Sequence, residues 1–253
     1  MVAGPRARPP ARPGAGAAGR VPSVDEGRGG QVIPRPPGAR PGGAAPWAAL
    51  AASDRRGLTL ARVAAALADH HRALHGAERI SVDGFPDPGA PAAVLVPLFE
   101  EDGEARVVLT RRAAHLRSHR GEVSFPGGRL DAGESPEQGA LREAAEEVGL
   151  DPAGITLVGR LTKLGTVSSG TTITPVVAVL PERPRLEANP TEVEHVFDVS
   201  LAELAEPSLF REEHWAVLGR EPFPVWFFEL PADTVWGATA RMLVELLRLV
   251  LGV

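Results

Sequence analysis

One stretch constrains this chain more than any other: residues 127–150, GGRLDAGESPEQGALREAAEEVGL. It opens on a glycine pair, bends again at Gly133, and runs into a helix whose limits are written in its ends. Ser135 suits the cap of the first turn, Pro136 the first helical position, and Gly149 the left-handed residue that closes a helix. A helix is therefore predicted over Pro136–Val148. Within it Glu143, Glu146 and Glu147 stand three and four residues apart. A helix turns about 100° per residue, so their carboxylates are expected on one side within about one turn.

Like charges this close raise each other's pKa and destabilise the helix unless something positive sits between them. A hard divalent cation such as Mg²⁺ takes oxygen ligands and keeps several waters. Arg142 is a second source of positive charge, neutralising part of the cluster or orienting Glu134 through a bidentate contact. Glutamate runs on helices are usually solvated faces, so the cluster gains its meaning from the loop before it. Phe125-Pro126-Gly127-Gly128 and Gly133 favour tight turns, which would bring peptide N–H groups and the glutamates around one phosphate.

Around this unit, apolar runs predict strands over 92–100, 106–110, 155–161, 172–180, 193–199 and 225–230, with Asp102-Gly103 as a turn. Helices are expected from about 58 to 74, over 201–204 and over 234–250. Strands and helices mix without regular alternation, which points to an α/β fold with a mixed sheet between helices.

The chain carries 27 basic and 32 acidic side chains, a net charge of −5, so broad nucleic-acid binding is not expected. It has no cysteine, which excludes disulfides, thiolate metal sites and cysteine nucleophiles and fits a reducing, cytoplasmic compartment while remaining compatible with export. No apolar run approaches the roughly 18 residues of a membrane span. Residues 1–46 hold seven arginines, ten prolines and ten glycines and carry +5, leaving −10 on the rest. With few large apolar groups to offset the cost of ordering, they are expected to be a disordered segment, with the folded domain spanning 47–253. Its arginines hint at a transit peptide, but its helix breakers favour a plain tail or an over-extended start. Oligomeric state is left open, a homodimer being one option.

Gly128, Glu134 five residues on, and Arg142-Glu143-Ala144-Ala145-Glu146-Glu147-Val148-Gly149-Leu150 after seven more together resemble the Nudix box. The resemblance implies an α/β/α Nudix sandwich, a divalent ion (Mg²⁺ or Mn²⁺) at Glu143, Glu146 and Glu147, and hydrolysis of a nucleoside diphosphate linked to another group. Ala144 stands where the pattern prefers a bulkier aliphatic.

Just upstream, Arg111, Arg112, Arg117 and Arg120 crowd beside the glycine turn, and guanidinium groups suit phosphate. The run Val108-Leu109-Thr110-Arg111-Arg112-Ala113, then Arg117, Gly121 and Phe125-Pro126-Gly127-Gly128, is similar to the signature of coenzyme A pyrophosphatases within that family. It implies cleavage of coenzyme A or a derivative to 3′,5′-ADP and 4′-phosphopantetheine, with Thr110, Arg112, Arg117, Gly121, Phe125, Gly127 and Gly128 at the substrate. The loop 162–171 departs from the more acidic, proline-containing form of that subgroup.

For the chemistry, Arg142 and Glu146 or Glu147 are candidates within the helix, and Glu192 is a further candidate to accept the proton of the attacking water. His70, His71, His75, His115 and His119 read as surface groups, and Trp215, Trp226 and Trp236 as core or interface. Two other readings stand beside this one. The first is a Nudix hydrolase of another nucleoside diphosphate derivative such as ADP-ribose. The second is a non-catalytic nucleotide sensor, which would often lack one of the glutamates retained here.

Overall fold

The computed structural model describes residues 31, 33, 35–74, 90–116, 119–166, 170–216 and 221–253. Its centre is set by the strand β2, Pro91–Glu101, whose side chains are buried in succession rather than in alternation. Such a strand must be covered on both faces. Asp102 and Gly103, both at positive φ, make the two-residue turn into β3, Glu104–Arg112, as a tight hairpin requires. On its other side β2 runs parallel to β8, Thr172–Val179, in the register Leu95↔Val176. The short β4, Val123–Ser124, and β9, Val193–Ser200, both pair with β3, while β5, Gly127–Arg129, pairs with β2. Finally β6, Thr156–Arg160, and β7, Leu164–Gly165, pair with β8. Every other pairing in this sheet is antiparallel, so the sheet is mixed.

Helix α2, Pro136–Val148, covers one face by packing Ala140, Ala144 and Val148 against Ala93, Leu95, Val108 and Val176. Helices α1, Leu60–Leu74, and α4, Gly237–Leu251, cover the other, with Val63, Leu67, Leu243, Leu246 and Leu247 against Val94, Val96, Leu109 and Val177. The α/β/α layering matches expectation. So do the bounds of α2 and of the short α3, Leu201–Leu204.

Two expectations are corrected. Thr234–Trp236 is a strand, β12, and not the start of the last helix. It pairs with β11, Phe223–Glu229, and β11 pairs with β10, Phe210–Trp215. The polypeptide becomes helical from Gly237, whose φ is +63°.

The second correction concerns the boundary at residue 47. Ordered packing begins upstream of it: Ile33 is 1% exposed against Trp215, Val225 and Phe227. Arg35 Nε donates to Glu213 Oε2 at 2.9 Å. A two-residue strand β1, Arg40–Pro41, pairs with β10 as the outer member of a second sheet, β1-β10-β11-β12. One isoleucine seated on an aromatic face, with an ion pair beside it, outweighs the helix-breaking composition around it. The expected disorder of residues 1–30 lies outside the described residues. Among the described residues no helix is long and apolar enough to cross a membrane.

Candidate active site

The capping groups fix the register of α2 and hence the direction of its glutamates. Ser135 Oγ accepts the Gln138 N–H, Gln138 Oε1 accepts the Ser135 N–H at 2.9 Å, and Gly149 ends the helix at φ +65°. Reciprocal bonds of this kind satisfy two amides that would otherwise be orphaned.

Glycine then lets strand and helix meet. A Cβ on Gly128 would lie 2.6 Å from the carboxyl carbon of Glu143, and one on Gly127 would lie 2.4 Å from the Ala93 carbonyl oxygen. The turn is therefore glycine-rich because carboxylate and backbone occupy the space of a side chain. The Gly127 N–H, expected to face a phosphate, instead donates to Glu147 Oε2 at 3.1 Å.

The three glutamates of the helix differ in environment. Glu147 is 3% exposed, with Arg112 Nη1 at 3.7 Å from Oε1. Burial pushes its pKa up to about 7; the Gly127 N–H and Arg112 oppose the shift, and the nearby charges of Glu143 and Glu192 reinforce it. Glu143 is also raised, chiefly by burial, against the lowering effect of Arg142. Glu146 has its side chain 59% exposed, turned toward solvent and Arg142. The expected single cluster is thus two inward carboxylates and one outward.

Arg142 ties these groups together. Nε and Nη2 fork onto the two oxygens of Glu134 at 2.9 and 3.0 Å. Nη1 spans Glu143 Oε1 at 2.9 Å and Glu146 Oε2 at 3.1 Å, and Nη2 also reaches the Arg129 carbonyl at 3.0 Å. The fork, with the Asp131 N–H, holds Glu134 below the usual carboxylate range, and the carboxylates in turn raise the pKa of Arg142. The bidentate contact with Glu134 anticipated from sequence is present. Leu130, in the turn below, packs so close to the helix that a Cβ on Gly139 would sit 2.3 Å from its Cδ2.

The upstream candidates fall into two groups. Arg112, from β3, reaches the carboxylates directly. Gly121, at φ +67°, donates to the Arg112 carbonyl at 3.0 Å while the Arg112 N–H donates to the Glu122 carbonyl at 2.9 Å, so that loop fixes the arginine's backbone. Thr110 is 1% exposed, with its hydroxyl on the Ser124 carbonyl at 3.1 Å, and Phe125 is 2% exposed within the core. These two hold β3 and β4 in place rather than presenting a surface to a ligand. Arg117 lies outside the described residues. Glu192 is exposed on the approach to β9, and its charge acts on both Glu143 and Glu147. Ser124, paired with Thr110 across β3 and β4, was not singled out from sequence. A two-residue strand leaves no periodicity by which to find it.

The donor set is one a hard dication takes: several carboxylates, no sulfur, and a buried glutamate lacking a full counter-charge. Among the described residues no three His, Asp or Glu side chains close on a common point, and the Arg142 guanidinium occupies the position between Glu143 and Glu146.

A family model described as the NUDIX domain matches residues 89–220, over half of the chain and all of the site above. The chain belongs to the Nudix family. Among its Nudix relatives is Nudix hydrolase 3 of Caenorhabditis elegans, 40% identical over 121 residues, a match covering 47% of this chain and 50% of that protein. Nudix hydrolase NudL of Photorhabdus laumondii is 37% identical over 163 residues, covering 63% of this chain and 84% of that one. The chain thus spans half the length of the first relative and most of the second. Among solved structures, the Nudix hydrolase RenU of M. smegmatis aligns with 48% of this chain and 78% of its own at 27% identity and a TM-score of 0.41. A MutT/nudix family protein of Enterococcus faecalis aligns with 71% of this chain and 67% of its own at 17% identity and a TM-score of 0.44.

Proposed function

We propose that the protein is a metal-dependent Nudix diphosphatase that hydrolyses coenzyme A or a derivative to 3′,5′-ADP and 4′-phosphopantetheine. The observation that carries this reading is the meeting of Arg112 with Glu147 and of Gly128 with Glu143 at one end of the sheet. It joins the arginine of the upstream signature to the glutamates of the helix. Glu143, Glu146 and Glu147 would hold the ion, Mg²⁺ or Mn²⁺. When bound, it polarises a phosphoryl oxygen and lowers the pKa of a water.

The protein's own groups do the rest. Arg112 supplies positive charge to the diphosphate oxygens beside the carboxylates, and Arg117 is assigned with it to the phosphates of the substrate, the 3′-phosphate included. Gly128 keeps the space at the Glu143 carboxylate free of a side chain, and Gly127 lets the turn lie close against β2. Arg142 holds Glu134 and Glu143 in place, a positioning role. Glu192, solvated and close to both inner glutamates, accepts the proton of the attacking water.

The full chain with Mg²⁺ or Mn²⁺ should release 3′,5′-ADP from coenzyme A, as read by mass spectrometry. Dephospho-coenzyme A should turn over more slowly, since it lacks the group assigned to the arginines. Equal rates on both would remove the 3′-phosphate assignment, and faster cleavage of ADP-ribose would replace the substrate reading altogether.

A further inference from the structure

On the face of the sheet opposite α2, Glu245 of α4 makes contacts that the site described above does not use. Its Oε1 accepts the Thr162 N–H at 2.9 Å and the Thr162 hydroxyl at 2.7 Å, and His70 Nε2 of α1 lies 3.6 Å from the same oxygen. One carboxylate oxygen therefore ties α4 to the segment leaving β6, with a histidine of α1 beside it. Glu245, Thr162 and Arg241 line an open cleft of about 550 Å³, so the carboxylate keeps water on one side and avoids the full cost of burying a charge.

Thr162 begins the connection that returns as β7 alongside β8. Leu161 and Leu164, each 3% exposed, anchor it in the core, with Thr162 between them. Farther along, the Thr166 N–H donates to the Thr171 carbonyl at 2.9 Å and the Thr171 N–H to the Thr166 hydroxyl at 3.2 Å, closing the two legs on each other. These legs end at the same edge as the glycine turn. Arg129, Ala92 and Ile173 stand in one cross-strand row, which at about 4.8 Å per strand puts Ile173 about 10 Å from Arg129. Pro91, one residue before Ala92, pairs with Thr172 and accepts the Leu130 N–H at 3.0 Å. The connection and the glycine turn thus hang from the same end of β2.

We propose that Glu245 is a positioning residue for substrate binding: from the far face of the sheet it fixes Thr162 and hence the wall that residues 162–166 and 170–172 form beside the glycine turn. The inference rests on the diphosphatase reading for its kinetic readout but not for its structural one. An acceptor oxygen is what Thr162 requires, and the amide of glutamine supplies one.

In the full chain, Glu245→Ala should raise KM about tenfold while kcat stays within about twofold, the loss of a charge-assisted pair of hydrogen bonds felt in binding alone. Glu245→Gln should restore wild-type KM, and Thr162→Val should reproduce part of the defect that Thr162→Ser does not. Hydrogen–deuterium exchange of the peptide containing Thr162 should be about tenfold faster in Glu245→Ala and unchanged in Glu245→Gln. An alanine variant whose folded fraction falls while KM holds, or a glutamine variant as defective as alanine, would overturn the proposal. Unchanged exchange at Thr162 in the alanine variant would overturn it as well. Wild-type protein inactive on coenzyme A would count against the substrate reading alone, leaving the exchange measurement to decide the role of Glu245.

Discussion

A carboxyl group as enclosed as Glu147 places function and stability in opposition. Its pKa stands near 7 against an ordinary 4.5, burial being the main cause. Between those values the folded state holds a proton that the unfolded chain has released. The stability associated with that proton is complete below pH 4.5 and is lost as pH rises through 7, up to about 3 kcal/mol. Glu147→Gln keeps a neutral group of the same shape at every pH. Denaturation in EDTA should therefore find the variant more stable than wild type at pH 8 and equal to it near pH 4.5, whereas its hydrolytic activity with Mg²⁺ should fall on the order of 100-fold. Parallel stability curves for the two proteins would show that Glu147 is not held as described. The neighbouring glycines separate in the same way. An added methyl at position 128 meets only the carboxylate end of Glu143 and no backbone, so Gly128→Ala should keep its stability within about 1 kcal/mol and lose activity. At position 127 the methyl meets backbone, and Gly127→Ala should cost about 3 kcal/mol by thermal melting.

Legibility differs sharply among elements. Helix α2 could be read to its terminal residues because its start and stop signals are local: a capping serine, a proline at its first position, and a glycine at its left-handed end. Ser135→Ala should lower stability by about 1 kcal/mol, measured by chemical denaturation, because one end of the reciprocal cap is lost. The strands β4, β5 and β7 are two or three residues long and exist only through pairing with β3, β2 and β8, so no periodicity marks them. Thr234–Trp236 escapes a local reading for a related reason. It continues the apolar content of the helix that follows, and only pairing with β11 separates the two. The same limit applies within the site. Helical spacing predicts a common side for Glu143, Glu146 and Glu147, but the turning of Glu146 toward Arg142 depends on where the Glu134 loop folds back.

Over the whole molecule, composition averaged across 46 residues concealed the few that matter. Ile33 is the apolar plug of the second sheet, and Ile33→Ala should cost about 2–4 kcal/mol in global stability, where a tail residue would register nothing. Denaturant midpoints of the two proteins compare them directly. The aromatic side of that sheet is roofed by Ile33 and Ala39, with Trp215 and Phe227 packed against Ile33 and the Arg211 guanidinium stacked on the Phe227 ring at 3.8 Å. A recombinant version begun at residue 47 would lift that roof and bare a greasy aromatic surface to solvent, and such molecules stick to one another and come out of solution.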